Sequence, residues 1–302
     1  MGYLYLLGVA ILFSFGGTCS RLASQSFSAY YISFFRFFFG IITLLILKLI
    51  KREKFQKDLP AVIRMCIGWI LFGAVAKLMA YLTENIGFTL GPSYGNIVTQ
   101  PAQAVFITLA SVFLFKDKLP FKKVVSIFLC IAGVLCISWN GRPLSEFFQN
   151  NILITLLFIV SGCCGGAHVL AQKMIADKMD IIDGNLSIFA FATVFAVFPT
   201  LPETFAGALT GIRPSLSCWA GVLAFGTITG IGFYLNAKAI PLVPLYMVPI
   251  IQSTMVIFAI LWGVLFFHET LTVYIIAGTV IFLAGLIWLQ LQNSGALKSK
   301  DR

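Results

Sequence analysis

Ten long apolar stretches limit this chain more than any other feature does. They run over 3–23, 29–49, 63–84, 90–115, 122–140, 150–172, 184–202, 217–238, 241–266 and 271–291, each about 18 to 28 residues long. A helix needs roughly 20 apolar residues to cross the hydrocarbon core of a bilayer. A barrel strand needs only about ten. Backbone groups in lipid must be satisfied within the segment, which the helix does. The spacing therefore predicts an all-α polytopic membrane protein with ten transmembrane helices. Hydrophobic residues make up 59% of the chain and charged residues 11%, against about 25% charged in a soluble domain. MGYLYLLGVAILF opens the chain without a basic segment and reads as a first span rather than a cleaved signal. The seven cysteines lie inside or at the ends of apolar stretches, without zinc-ribbon spacing. They read as small packing residues, with a Cys163–Cys164 redox pair as the alternative. No metal site is expected.

The basic residues orient the spans. The second connection carries Lys48, Lys51, Arg52, Lys54, Lys57 and Arg64, and the fourth carries Lys116, Lys118, Lys122 and Lys123. Lys173, Lys178 and Lys238 follow in the sixth and eighth, and Lys298, Lys300 and Arg302 in the tail. Sixteen of the 21 lysines and arginines thus share one side, which the positive-inside rule makes cytoplasmic, together with both termini. Arg142 and Arg213 lie outside, and Arg21, Arg36 and Lys77 fall within spans. The basic loops are short and topology accounts for them, so nucleic acid is not an expected partner.

The chain also repeats itself. PSYGNIVTQPAQAVFITLASVFLFKDKL at 92 matches PLYMVPIIQSTMVIFAILWGVLFFHETL at 244, an offset of 152 residues. Gln100 meets Gln252, Asp117 meets Glu269, and the IAGVL around Gly133 meets the LAGLI around Gly285. SFGGTCSRLA at 14 echoes CCGGAHVLAQK at 163 more weakly. Each half holds five spans, and an odd number reverses the second half in the membrane. The expected organisation is a five-plus-five inverted repeat: a first repeat over 1–141, an external connection over 142–149, a second repeat over 150–292 and a cytoplasmic tail over 293–302. Inverted repeats supply two related conformations, one open to each side. Pro92 and Pro101, with Pro244 and Pro249, are candidate kinks in the fourth and ninth spans. Such breaks serve either helix packing or a central binding site.

FSFGGTCSRLA followed by FFRFFFG, then the paired blocks ending in KDKL and HETL with their AG pairs, resemble the EamA-type ten-helix members of the drug/metabolite transporter superfamily. The likeness covers nearly the whole chain. It implies a central cavity between two bundles, cytoplasmic ends, a bacterial inner membrane and carriage of amino acids, amines, nucleotide-related or aromatic metabolites, with export common. Arg36 matches the family's arginine in the second helix, and Arg21 its basic residue near the outer end of the first. DGNLSIFAFATVF in the second half has no such arginine.

Several polar residues are placed to meet a substrate. Arg36 stands about 10 Å into its span at helical rise, among six aromatics. Either it is tied to carbonyls or a carboxylate, or it faces the cavity and attracts an anion. Lys77 lies beyond mid-membrane with Glu84 two turns on, near the outer end. It snorkels, pairs or faces the cavity. With Tyr81, Tyr94, Asn96, Gln100, His168, Tyr234, Tyr246 and Gln252 these form the candidate cavity lining. The alternative for each is hydrogen bonding between helices. Lys77 and His168 are the candidates for proton coupling.

The expected function is secondary active transport of a small polar organic metabolite by alternating access, in the direction of export. No GxxxxGK[ST] loop is present. Full positive charges within spans and no acid at mid-membrane favour an amino acid or related carboxylate. A cationic or aromatic amine held by rings is one alternative, and a scaffold that transports nothing is another. Two histidines and scattered acids give no catalytic cluster, so no enzyme and no cofactor are expected. Partners are the metabolite, membrane lipid and a coupling proton, in a monomer or homodimer.

Overall fold

The structure, a computed structural model, describes residues 1–92, 95–115, 120–141, 152–206, 214–239, 242–243 and 247–300, without the side chains of 111, 115, 247, 249, 250 and 293–300. All regular structure among these residues is helical: α1 (Gly2–Ser14), α2 (Gly16–Ala23), α3 (Ala29–Ile50), α4 (Leu59–Leu90), a 3₁₀ turn (Gly95–Val98), α5 (Thr99–Phe115), α6 (Phe121–Trp139), α7 (Ile152–Ile175), α8 (Ile181–Phe205), α9 (Leu216–Ala239), α10 (Met247–Gln252), α11 (Met255–Phe267) and α12 (Val273–Lys300). Nine segments of the described residues are long and apolar enough to cross a membrane, counting α1 with α2 and the 3₁₀ turn with α5. The interrupted pair α10 and α11 makes the tenth span.

Two spans run well past the ends expected from the sequence. α4 continues through Thr83, Glu84 and Asn85, past Gly87, to Leu90, and ends before Gly91 and Pro92. Its length of about 48 Å exceeds the roughly 30 Å core. α12 continues helical through the expected tail to Lys300.

The candidate kinks are also placed differently. Pro92 follows the end of α4 and bends no helix. Pro101 sits in the first turn of α5, where an amide donor is not required. The backbone of Pro249 lies in the first turn of α10, while its side chain and all of Pro244 lie outside the described residues. Prolines inside a helix occur instead in α8, at Pro199 and Pro202.

Packing follows the inversion. α4 packs on α7 as α9 packs on α1, α3 on α9 as α8 on α4, and α5 on α7 as α10 and α11 on α1. Two pairings, α3 with α8 and α6 with α12, are each their own mate. These exchanges define ten membrane helices in two five-span halves of opposite sense. α6 and α12 stand together at the side and touch the other helices little. Their backbones meet at glycines. A Cβ on Gly133 would lie 2.6 Å from the Phe282 nitrogen and 2.7 Å from the Gly278 oxygen. Small residues that let backbones touch are the usual means of joining helices in lipid.

Gly133→Leu is expected to lower the thermal unfolding midpoint in detergent, by the equivalent of about 1–3 kcal/mol. An unchanged midpoint would contradict the close approach of α6 and α12.

Candidate functional site

A cavity of about 140 Å³ lies at the centre, walled by the first, second, third, fourth, sixth, eighth and ninth spans. Three of these spans are interrupted, and residues at the interruptions line the cavity: Gly16 after the break at Phe15, Thr99 at the start of α5, and Gln252 and Met255 on either side of the α10–α11 break. Irregular backbone within lipid is tolerated where it borders such a cavity. α7 closes tightly on α5 here. A Cβ on Gly162 would lie 2.6 Å from that of Ala102, and one on Gly166 the same distance from the Phe106 ring.

The structure brings seven sequence-selected residues to this cavity: Arg36, Lys77, Tyr81, Asn96, Gln100, His168 and Gln252. Tyr234 is not among them. It points toward the loop after α3, where its hydroxyl donates to Glu53 at 2.7 Å. The placements expected for Tyr94 and Tyr246 fall outside the described residues. Glu84, Gln103, Ser161, Phe13 and Phe233 line the cavity without having been selected. Gln103 lies one turn past Gln100, and Met255 stands at its repeat position. That spacing was the signal available for it.

Arg36 is tied to a carboxylate. Its guanidinium donates to Glu84 at 2.8 Å and its Nε to the Thr229 hydroxyl at 3.1 Å. It lies over the Tyr81 ring at 3.3 Å and the Phe225 ring at 3.9 Å. An acid does therefore reach the polar interior, because α4 runs past Glu84 instead of ending there.

Lys77 differs. It sits roughly midway along α4 and is partly exposed, bordering the cavity. Its ammonium faces Tyr81 at 4.4 Å and Phe233 at 5.0 Å. Among the described residues it makes no ion pair. His168 is buried, and its Nδ1–H donates to the Gly73 carbonyl at 3.3 Å, leaving Nε2 without a partner among the described residues. Asn96 is likewise buried, with Oδ1 unpartnered among the described residues. Gln252 donates to Asn236 at 2.9 Å, and Gln100 contacts the Met255 sulfur at 3.8 Å. Trp69 and Trp262 do not line the cavity. Trp262 donates to Ser14 and stacks on Phe15, and Trp69 is 38% exposed on the outer surface beside Phe72.

Polar contacts tie helices together at both faces. On the face of the basic loops, Lys48 and Asp183 form a pair buried to 2% and 1% exposure. The Gln56 backbone amide donates to the same carboxylate at 2.8 Å. Asp180 caps α8, accepting from the Ile182 amide at 3.0 Å. Beside them Lys238 pairs with Glu53 at 2.7 Å. On the opposite face Arg21 pairs with Glu269, Ser28 donates to Glu203 at 2.6 Å, and Tyr31 bonds Thr204 at 2.7 Å.

The fold and cavity define an integral membrane protein of ten helices with a polar centre. The family model for the EamA-like transporter family matches residues 1–139 and 151–291. The chain belongs to that family, within the drug/metabolite transporter superfamily, and is a membrane transporter of small substrates. Among 28 matching chains of solved structures is one described only as the crystal structure of a protein. It is 15% identical, with a TM-score of 0.66 over 96% of this chain and 96% of the other. That likeness concerns the fold alone. No curated protein matches the chain.

Burial alone would raise the Glu53 carboxyl. The hydrogen bonds from Lys238 and Tyr234, with the Lys238 and Lys48 charges, outweigh it and hold the group below the ordinary carboxylate range. A depressed carboxyl contributes stability above its unfolded value and loses it as the pH falls through its folded value. Acidification from neutrality should therefore loosen this face. Glu53→Gln is expected to flatten part of the acid limb of thermal stability, an effect of about 0.2–1 kcal/mol for a pair this exposed. An unchanged pH profile would contradict the pairing.

Proposed function

We propose that this transporter carries a small polar organic metabolite bearing a carboxylate, an amino acid or related compound, by secondary active transport and alternating access in the direction of export. The observation that carries this reading is Lys77: a lysine amine at the cavity wall without an ion pair among the described residues. A lysine in the membrane interior favours an anionic group brought to it. Glu84 occupies Arg36, so the attraction rests on Lys77. A purely cationic amine is disfavoured, since Lys77 and Arg36 already face the Tyr81 ring that would hold it. Lys77 and His168 are the proposed route for a coupling proton. The opposed contacts, Lys48–Asp183 with Glu53–Lys238 and Arg21–Glu269 with Tyr31–Thr204, suit gates that open in turn. The two halves, 1–141 and 150–292, are the moving units, joined over 142–149 and followed by the tail at 293–302. The setting is a bacterial inner membrane with both termini cytoplasmic, and the assembly a monomer or homodimer.

In liposomes under an imposed proton gradient, the protein is expected to accumulate amino acids, and Lys77→Ala to reduce this to background. Uptake unchanged by Lys77→Ala would remove Lys77 from the mechanism. His168→Asn is expected to retain exchange of substrate without a gradient while losing gradient-driven accumulation. Loss of both, or of neither, would contradict a coupling role.

A further inference from the structure

The cavity holds an acid as well as a cation. Glu84 lines it, with its side chain 13% exposed. Arg36 takes only Oε2, and Oε1 accepts no hydrogen bond among the described residues. Two further acceptors lie in the same wall. Asn96 is 2% exposed, with Oδ1 unpartnered among the described residues. His168 is 1% exposed, and its Nδ1–H is committed to Gly73, which leaves Nε2 as a bare lone pair. Among the groups left unmet by the described residues are thus one ammonium donor and three acceptors. Buried polar groups are satisfied in nearly all native sites. A simple carboxylate would meet Lys77 and leave the acceptors alone. A ligand carrying N–H donors at its other end would meet both sets.

The placement suits such a ligand. Lys77 and Glu84 lie two turns apart on one face of α4, and both line the cavity. They form no ion pair with each other. Tyr81 lies one turn from each group, and its ring contacts the Lys77 ammonium and the Arg36 guanidinium that pairs with Glu84.

We propose that Glu84 receives the ammonium group of a zwitterionic amino acid whose carboxylate is held by Lys77, and so sets the preference for an amino acid over the matching simple carboxylate. The inference rests on the carboxylate site at Lys77 proposed above. A lone amine gains little here, because Lys77 repels it until a carboxylate neutralises the ammonium. The zwitterion brings both charges at once.

The test is equilibrium binding to the full-length protein in detergent, by calorimetry. The probes are L-leucine, L-phenylalanine and L-glutamine, each beside its des-amino carboxylate and its decarboxylated amine. The expected result is that at least one amino acid binds about tenfold to a hundredfold more tightly than its carboxylate, the scale of one hydrogen bond to a charged group, and that the amines do not bind. Glu84→Gln is expected to bring that ratio toward one while carboxylate binding persists. The comparison on the unsubstituted protein stands whether or not that variant folds. Carboxylates that bind as tightly as the amino acids would overturn the role of Glu84 and leave Lys77 in place. Affinities untouched by Lys77→Met, or no binding by any probe, would overturn the carboxylate site and the role of Glu84 with it.

Discussion

The Arg36–Glu84 pair is the interaction on which the rest of the interior depends. Arginine stays charged in any protein setting, and lipid offers it nothing to bond. Here one carboxylate, one hydroxyl and two aromatic faces enclose it. Those partners come from the third span and the eighth, so satisfying Arg36 fixes the second span against both. The six aromatics around it in sequence turn out to serve mainly as packing. Phe37 lies in the core against Tyr81 and Phe189, while Phe38 looks outward. With Arg36 and Glu84 paired, Lys77 is left at the cavity wall without an ion pair among the described residues.

The inverted repeat explains which helices touch, but it does not make the two faces chemically equal. The 152-residue offset places Asp183 opposite Tyr31, at matching ends of α8 and α3. Asp183 holds a buried lysine on one face, whereas Tyr31 shares a hydroxyl contact on the other. Breaking a buried ion pair is far costlier than parting two hydroxyls. A symmetric scaffold can therefore hold its two ends with unequal strength.

Hydropathy and a long internal repeat made the architecture legible, because the length of a span and the sign of its loops are one-dimensional properties. The repeat also found Gln100 and Gln252, which occupy equivalent wall positions. Contacts between distant spans were hidden from it. Nothing in the sequence joins Arg36 to Glu84, and taking the third span to end at residue 84 put that acid at the surface instead of in the wall. Tyr234 is polar within a span, but one helix carries residues on all sides and Tyr234 belongs to the side facing Glu53. The prolines marked the fourth and ninth spans as irregular, yet the residues at the interruptions that border the cavity are Thr99, Gln252 and Met255.

A double-mutant cycle on Arg36→Met and Glu84→Met, read as unfolding free energy in detergent or bicelles, tests the account at its centre. Each single substitution strands one charge in the interior and should cost about 3–5 kcal/mol. The double substitution strands none and should recover most of that loss, giving a coupling well above the roughly 0.5 kcal/mol seen for independent sites. Additive losses would mean that Arg36 and Glu84 do not neutralise one another, and the assignment of Lys77 as the charge that attracts the substrate would fall with them.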